Sequence, residues 1–369
     1  MPGSSEAAAG VQLAPLTTVR VGGPAAKYVE AASDEAVIAE VRSADEHGED
    51  LLIIGGGSNL VISDDGYPGT VLRIANSGYA ISEDDAAGGT VLLDVEAGQQ
   101  WDELVEATVG QGLAGLEALS GIPGLTGATP VQNVGAYGAE VSHSLENVRV
   151  WDRQEARVRT FTNGELGFGY RDSLLKQTTL NGSPRYVVLA VRFRLGRDAL
   201  GAPVRYAELA RALGVEVGEQ APAADVRREV LRLRASKGMV LDPADRDTFS
   251  TGSFFTNPIV APAAAEHLPS DAPRWAAGDQ VKLSAAWLID RAGFGKGFGL
   301  AGTANGAVDG FTVAGGRAAL STKHTLAITN RGNAEAADIL AIGRTVRDGV
   351  ESTFGIRLHP EPLLIGCSL

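Results

Sequence analysis

Cysteine is almost absent: Cys367 is the single one in 369 residues. A lone thiol excludes an internal disulfide framework and any cysteine-rich zinc or iron–sulfur site, and it suits a reducing compartment. Histidine is scarce as well. His47, His143, His267, His324 and His359 include no pair at metal-ligand spacing, so no metal is expected. His359-Pro360-Glu361 has the HxE of a zinc deaminase, but no PCxxC follows it. An excess of positive charge is also missing: 32 Lys+Arg stand against 45 Asp+Glu, a net charge of -13, the wrong sign for a general nucleic-acid binder. No apolar run reaches the roughly 18 residues that span a bilayer. No lysine or arginine precedes Arg20, and the opening residues have no apolar export core. The expectation is a soluble, unexported, cytoplasmic protein. Neither nucleic acid nor membrane is expected as a partner, and no obligate protein partner is inferred.

What is present is ordinary globular material plus glycine. Hydrophobic residues make up 44% and charged residues 21%, which disfavours wholesale disorder. At roughly 150 residues per domain the length allows two or three domains. After a polar opening of about ten residues, expected to be mobile, Ser33 or Asp34 can cap a helix with Val37, Ile38 and Val41 on one face, ending near Gly48. Strands are expected at Leu51–Ile54, Val71–Ile74, Val91–Val95, Glu146–Trp151, Arg157–Thr162 and Arg185–Leu195. A helix should carry Trp101, Leu104, Val105 and Thr108. In the last strand Val187, Leu189, Val191, Phe193 and Leu195 share a face opposite Arg192 and Arg194. From Gly196 the composition turns to Ala, Pro and Arg, as in a linker. A helix from Asp225 with Val226, Val230 and Leu233 is then expected to open a second domain. Further on come a helix around Leu283–Ile289, a strand Leu326–Thr329 and a long helix bearing Ile339, Val346, Val350 and Phe354, closed by Gly355. The fold class is α+β.

The 47 glycines cluster. Gly55-Gly56-Gly57-Ser58-Asn59 follows a strand and could let backbone N–H groups approach a pyrophosphate, although an ordinary tight turn is the commoner use of a lone GGG. Leu60 replaces the third glycine of GxGxxG and no GK[ST] follows, so neither a Rossmann site nor a P-loop is supported. The stretch from Ser120 to Gly138 contains no charged side chain. Its glycines, small hydroxyls and amides offer short hydrogen bonds to a large planar or phosphorylated ligand. A buried wrapping loop is the alternative, but two such loops in one domain favour a cofactor. Gly293 to Gly299 reads as a mobile surface loop. Arg227, Arg228, Arg232, Arg234 and Lys237 read as a solvated helix face.

Three further fragments complete the pattern: Phe168-Gly169-Tyr170-Arg171-Asp172-Ser173, Gly252-Ser253-Phe254-Phe255-Thr256-Asn257-Pro258 and Pro360-Glu361-Pro362. Together with both glycine loops, in this order and spacing, they resemble the UDP-N-acetylenolpyruvoylglucosamine reductase family, over about Leu13 to Gly366. The resemblance implies a two-lobed FAD-binding domain of the PCMH (vanillyl-alcohol-oxidase) type over 13–197. A mixed α/β substrate-binding domain over 203–366 follows.

It also implies chemistry: NADPH-dependent reduction of UDP-N-acetylglucosamine enolpyruvate to UDP-N-acetylmuramate through FAD, in peptidoglycan precursor synthesis. The pyrophosphate of FAD would lie against Gly55, Gly56, Gly57, Ser58 and Asn59. Gly121, Thr129, Asn133, Ala136 and Tyr137 would hold the rest. Neither loop contains a histidine, so the flavin is expected to be non-covalent. Arg171 and Glu361 match the family's groups at the substrate carboxylate, and Ser253 matches its proton donor. An ionised Glu361 beside a growing anion would repel it, so Glu361 is expected to carry a proton in the reactive complex. Tyr206, Lys237, Asn257 and His324 match ligands of the UDP-sugar. The net negative charge is no obstacle, since charges beyond roughly 8 to 10 Å are screened at cellular salt. A flavin oxidase or dehydrogenase acting on another sugar or hydroxy acid would leave Arg171, Ser253 and Glu361 unexplained together. A catalytically silent nucleotide-sugar- or flavin-binding regulator is the competing reading from another class.

Overall fold

The computed structural model describes residues 7–84 and 88–369; the first six residues of the polar opening lie outside the described ones. The chain packs as two compact units, the first gathering residues 7–11, Ala25–Gly56 and Pro68–Ala235, the second Gln12–Pro24, Gly57–Tyr67 and Ser236–Leu369. Composition changes near residue 200, whereas packing changes partner at 235/236.

Two larger sheets dominate the first unit, beside the two-stranded pairs Gly135–Ala136/Ala139–Glu140 and Thr179–Leu180/Ser183–Pro184. Pro24–Ala31, Tyr67–Ile74 and Leu51–Ile54 lie side by side in that order, the last two parallel. A five-stranded antiparallel sheet runs in the order Arg157–Thr162, Leu145–Asp152, Tyr186–Gly196, Thr90–Glu96 and Tyr79–Glu83. Its central strand shows why alternation matters. Val187, Leu189, Val191, Phe193 and Leu195 are buried, while on the other face Arg192 sits opposite Asp94 and donates to both its carboxylate oxygens at 2.7 and 2.9 Å. The helix Asp34–His47 begins at Ser33, whose hydroxyl accepts the Ala36 N–H, and stops at left-handed Gly48. It and the helix Trp101–Gly110 place Val37, Val41, Trp101, Leu104 and Val105 in one core with Val148, Val191 and Phe193. The Trp101 indole N–H, buried there, donates to the Leu119 carbonyl at 3.0 Å. The helix Ala223–Ser236, expected to open the second domain, instead packs Val226, Val230 and Leu233 with Val204 and Leu209 as a smaller core of this first unit.

In the second unit the helix Ala336–Phe354 is central, burying Ile339, Ile342, Val346 and Val350 and ending at left-handed Gly355. It lies in one core with the helix Ala285–Arg291 and the hairpin Ala318–Leu320/Ile328–Asn330. Gly293 to Gly299 is not a mobile surface loop. Phe294 and Phe298 within it are fully buried and meet edge to face at 5.0 Å, and the aromatic pair fixes what glycine density alone suggested was free. Leu60–Ile62 pairs in parallel with Leu363–Ile365, tying the segment after the first glycine loop to the end of the chain.

Candidate functional site

In the first unit the two glycine loops meet backbone to backbone. A Cβ on Gly56 would stand 2.7 Å from the Gly124 Cα, and one on Gly127 would stand 2.5 Å from the Ala97 Cβ, so glycine is required at both positions by contact. Gly55 lies against Leu125. Thr129 is buried, its hydroxyl donating to the Thr126 carbonyl at 2.8 Å. Asn133 has a positive φ of 46° and commits its amide to the protein. Its Nδ2 donates to Glu140 at 2.8 Å and to the Gly169 carbonyl at 3.2 Å, while Oδ1 accepts the Ser142 N–H at 3.2 Å. That side chain staples the second glycine loop to the loop carrying Arg171.

Arg171 itself adopts φ 55°, a conformation an arginine holds only when its surroundings impose it. Its carbonyl accepts the Lys176 ammonium at 2.7 Å, and its guanidinium donates to the Gly135 carbonyl at 2.9 Å. The guanidinium is thereby fixed beside Gly135–Ala136. At the following turn Tyr137, also at positive φ, meets the half-exposed Tyr206 ring edge to face at 5.5 Å. The first unit thus gathers Gly55, Gly56, Gly121, Thr129, Asn133, Ala136, Tyr137, Arg171 and Tyr206.

In the second unit Ser253 and Glu361 come together from opposite ends of its sequence. Phe254 and Phe255 are buried and meet at 5.1 Å, which anchors the loop. The Glu361 N–H donates to the Phe254 carbonyl at 2.9 Å and the Thr256 N–H to the His359 carbonyl at 3.1 Å, so residues 254–256 run beside 359–361. Gly252, at φ 74°, turns the chain immediately before Ser253. Asn59 holds the same place: its Nδ2 donates to the Glu361 carbonyl at 3.3 Å, and its own carbonyl accepts the Leu363 N–H at 3.0 Å. The His324 turn is attached too, because the Phe254 N–H donates to the Leu326 carbonyl at 2.7 Å. Asn257 supports the loop's far side, its Oδ1 accepting the Ala285 N–H at 2.9 Å at the start of a helix.

Two groups of residues escaped the sequence reading. Asp247, buried, accepts the Thr322 N–H at 2.8 Å and hydroxyl at 2.5 Å, pairs with Arg331 at 3.0 Å, and packs against Gly238, whose Cβ would lie 3.1 Å away. Burial alone would raise its carboxyl; the Thr322 bonds and Arg331 outweigh burial and hold it below its ordinary value. It links the Lys237–Gly238 turn to the Thr322–His324 turn. The second group corrects the solvated-face reading of the helix Ala223–Ser236. Arg228 and Arg232 are exposed as expected, but Arg227 is largely buried against Asp102 and Arg234 is buried outright. Burial lowers Arg234 to about 10. Charge spacing along a helix identifies a basic stripe but not the partner that covers part of it.

Residues 25–161 match the FAD binding domain family and residues 242–365 the C-terminal domain family of UDP-N-acetylenolpyruvoylglucosamine reductase. The UDP-N-acetylenolpyruvoylglucosamine reductase of Nocardia farcinica is 53% identical over 368 residues, covering 97% of this chain and 90% of its own. That of Saccharopolyspora erythraea is 52% identical over 371 residues, covering 98% and 96%. The crystal structure of the Thermus caldophilus reductase superposes with a TM-score of 0.61 at 26% identity, covering 98% of this chain and 99% of that one.

Proposed function

The chain belongs to the UDP-N-acetylenolpyruvoylglucosamine reductase family, and we propose that Arg171, Ser253 and Glu361 carry the substrate half of its reaction. The enzyme uses FAD and NADPH to reduce UDP-N-acetylglucosamine enolpyruvate in peptidoglycan precursor synthesis. Its fold is a PCMH-type FAD-binding domain joined to the family's C-terminal domain. The residues present fit the cofactor. Gly56 and Gly124 bring the two loops into backbone contact with no side chain between them, and the stretch from Ser120 to Gly138 carries no charged side chain, so backbone rather than charged groups would face the cofactor there. Gly55 to Asn59 would face its pyrophosphate, and Gly121, Thr129, Asn133, Ala136 and Tyr137 the remainder.

Bound FAD supplies the hydride carrier between NADPH and the terminal carbon of the enolpyruvyl double bond. The protein must then manage the charge that develops on the substrate carboxylate as an enolate forms. Arg171, held at the Gly135 carbonyl, supplies a fixed cation for it. Glu361, carrying a proton, donates to the same carboxylate. The Ser253 hydroxyl protonates the adjacent carbon; serine is a weak acid in water, but an enolate carbon is basic enough to take its proton when the two are held in line. Tyr206, Lys237, Asn257 and His324 bind the UDP-sugar. The reaction runs in the cytoplasm, without an obligate protein partner.

The observation carrying this reading is the convergence of Ser253 and Glu361 through the Glu361 N–H to Phe254 carbonyl bond at 2.9 Å. An anaerobic two-step experiment tests it. In the Ser253→Ala variant, NADPH should bleach the flavin as in the native enzyme. Recolouring by the enolpyruvyl substrate should slow by at least about a thousandfold, the upper part of what a positioned proton donor contributes. Native recolouring in that variant would remove Ser253 from the mechanism.

A further inference from the structure

A carboxylate stands where the cofactor loop begins. Gly121, at φ 71°, turns its N–H away from local backbone partners, and Asp102 accepts that N–H at 2.5 Å. Asp102 lies in the first turn of the helix Trp101–Gly110. Gly121 is three residues from Gly124, the glycine that abuts Gly56, so at most ~11 Å of chain separates this carboxylate's anchor from the contact between the two loops. FAD carries a diphosphate. Unless neutralised, the Asp102 charge would oppose any such anion within a Debye length, roughly 8 Å at physiological salt.

The neutralising group is supplied from another helix. Arg227 donates to both oxygens of Asp102, at 2.6 and 3.1 Å, with its side chain only 12% exposed. The other charges facing the pair are Glu106, 3.9 Å from Arg227, and Arg234, buried on the same helix as Arg227. We propose that Arg227 is a positioning residue for FAD, letting Asp102 pin the Gly121 amide without setting a negative charge against the cofactor's diphosphate. This rests on the reading that the Ser120 to Gly138 loop faces FAD.

A purely structural tie between two helices makes different predictions, which separates the two accounts. Equilibrium titration of the full-length chain with FAD, followed by flavin fluorescence, is the measurement. Arg227→Met, which leaves the carboxylate charge unpaired, should weaken FAD binding by roughly tenfold, less than the loss of a fully buried pair because the Asp102 side chain is 37% exposed. Raising NaCl from about 0.05 to about 0.5 M should shrink that loss, because the penalty is a screened repulsion. The double variant Asp102→Asn/Arg227→Met, which removes both charges, should return to within about threefold of native affinity, and Arg227→Lys, which keeps the charge but loses the two-point geometry, should lie between native and Arg227→Met. Should Arg227→Met bind FAD natively, or the double variant bind as weakly as the single one, the charge role is wrong. If Arg227→Met fails to fold, Arg227→Lys decides alone: a tenfold loss there refutes neutralisation. Gly56→Val guards the parent reading. It should abolish binding by forcing the Gly56 and Gly124 backbones apart, and native binding by that variant would overturn the loop assignment itself rather than Arg227's part in it.

Discussion

Asp247 shows how one buried side chain can serve two turns, those of Lys237 and His324, that are proposed to bind the UDP-sugar. One oxygen takes the Thr322 amide and Arg331, the other takes the Thr322 hydroxyl, and the Asp247 backbone and Cβ fill the space beside Gly238. Lys237 and His324 flank those contacts, so the distance between the two turns depends on a carboxylate that touches no proposed substrate atom. Asp247→Asn keeps the volume but supplies one acceptor oxygen where two were in use, leaving the Thr322 hydroxyl or Arg331 poorly satisfied. A cost of about 1–3 kcal/mol follows from such a loss. The expected outcome is a KM for the enolpyruvyl substrate raised roughly five- to tenfold, with kcat changed much less, because uniform binding rather than chemistry is affected. NADPH-driven bleaching, which involves none of these groups, should be untouched. A fall in kcat as large as the rise in KM, measured on correctly folded protein, would count against a positioning role.

The helix Ala336–Phe354 carries Gly343 and Gly349 in its interior, where glycine costs about 1 kcal/mol relative to alanine. Packing explains both: Cβ atoms there would meet the Phe254 ring at 3.0 Å and the Phe294 ring at 2.4 Å. Gly349→Ala should therefore lower the thermal midpoint despite the gain in helix propensity, since overpacking of about 1–3 kcal/mol exceeds that gain. Gly110→Ala, where nothing lies within 4 Å, should leave the midpoint level or raise it slightly. Equal effects at the two sites would refute the packing account. The same elements mark what the sequence could and could not tell. The helix opening at Ser33, the alternation along Tyr186–Gly196 and the long helix closed by Gly355 were legible because caps and periodicity are local. The parallel pairing of Leu60–Ile62 with Leu363–Ile365 was not, since nothing in either tripeptide names a partner three hundred positions away. Gly293 to Gly299 was misread because glycine density speaks of freedom while Phe294 and Phe298, read singly, say nothing of meeting each other. For the proposed site, the motif residues could be named from the sequence, but the contacts made by Asp102, Arg227 and Asp247 are with neighbours that only the folded chain provides.

Across the whole molecule, carboxylates held by arginines set the response to acid. In the first unit Asp102 is held by Arg227 and Asp152 by Arg185 and Arg159; in the second, Asp247 is held by Arg331 and Asp338 by Arg317. Burial pushes each of these carboxyls up, but hydrogen bonds and the arginines prevail, so all four lie below the ordinary aspartate value of 3.8. A depressed folded pKa contributes stability that is complete above the unfolded value and is lost as pH falls through the folded one. Glu96 opposes them weakly, raised by burial and by Asp34, and so relieved rather than weakened by acid. The thermal midpoint should stay nearly level from about pH 8 to about pH 5 and fall steeply below about pH 4. Repulsion among the 32 Lys and Arg as carboxylates neutralise would produce a similar fall, so shape alone does not identify the cause. Asp152→Asn does. Its side chain is fully buried, with Arg185 donating to both oxygens at 3.1 and 3.0 Å. Removing its charge should lower the midpoint at neutral pH while flattening the acid limb, so that native and variant curves draw together between about pH 4 and the lower pH at which the folded carboxyl takes up its proton. Curves that instead run parallel down to that pH would assign the acid response to general repulsion, and the arginine pairs would then have no special part in it.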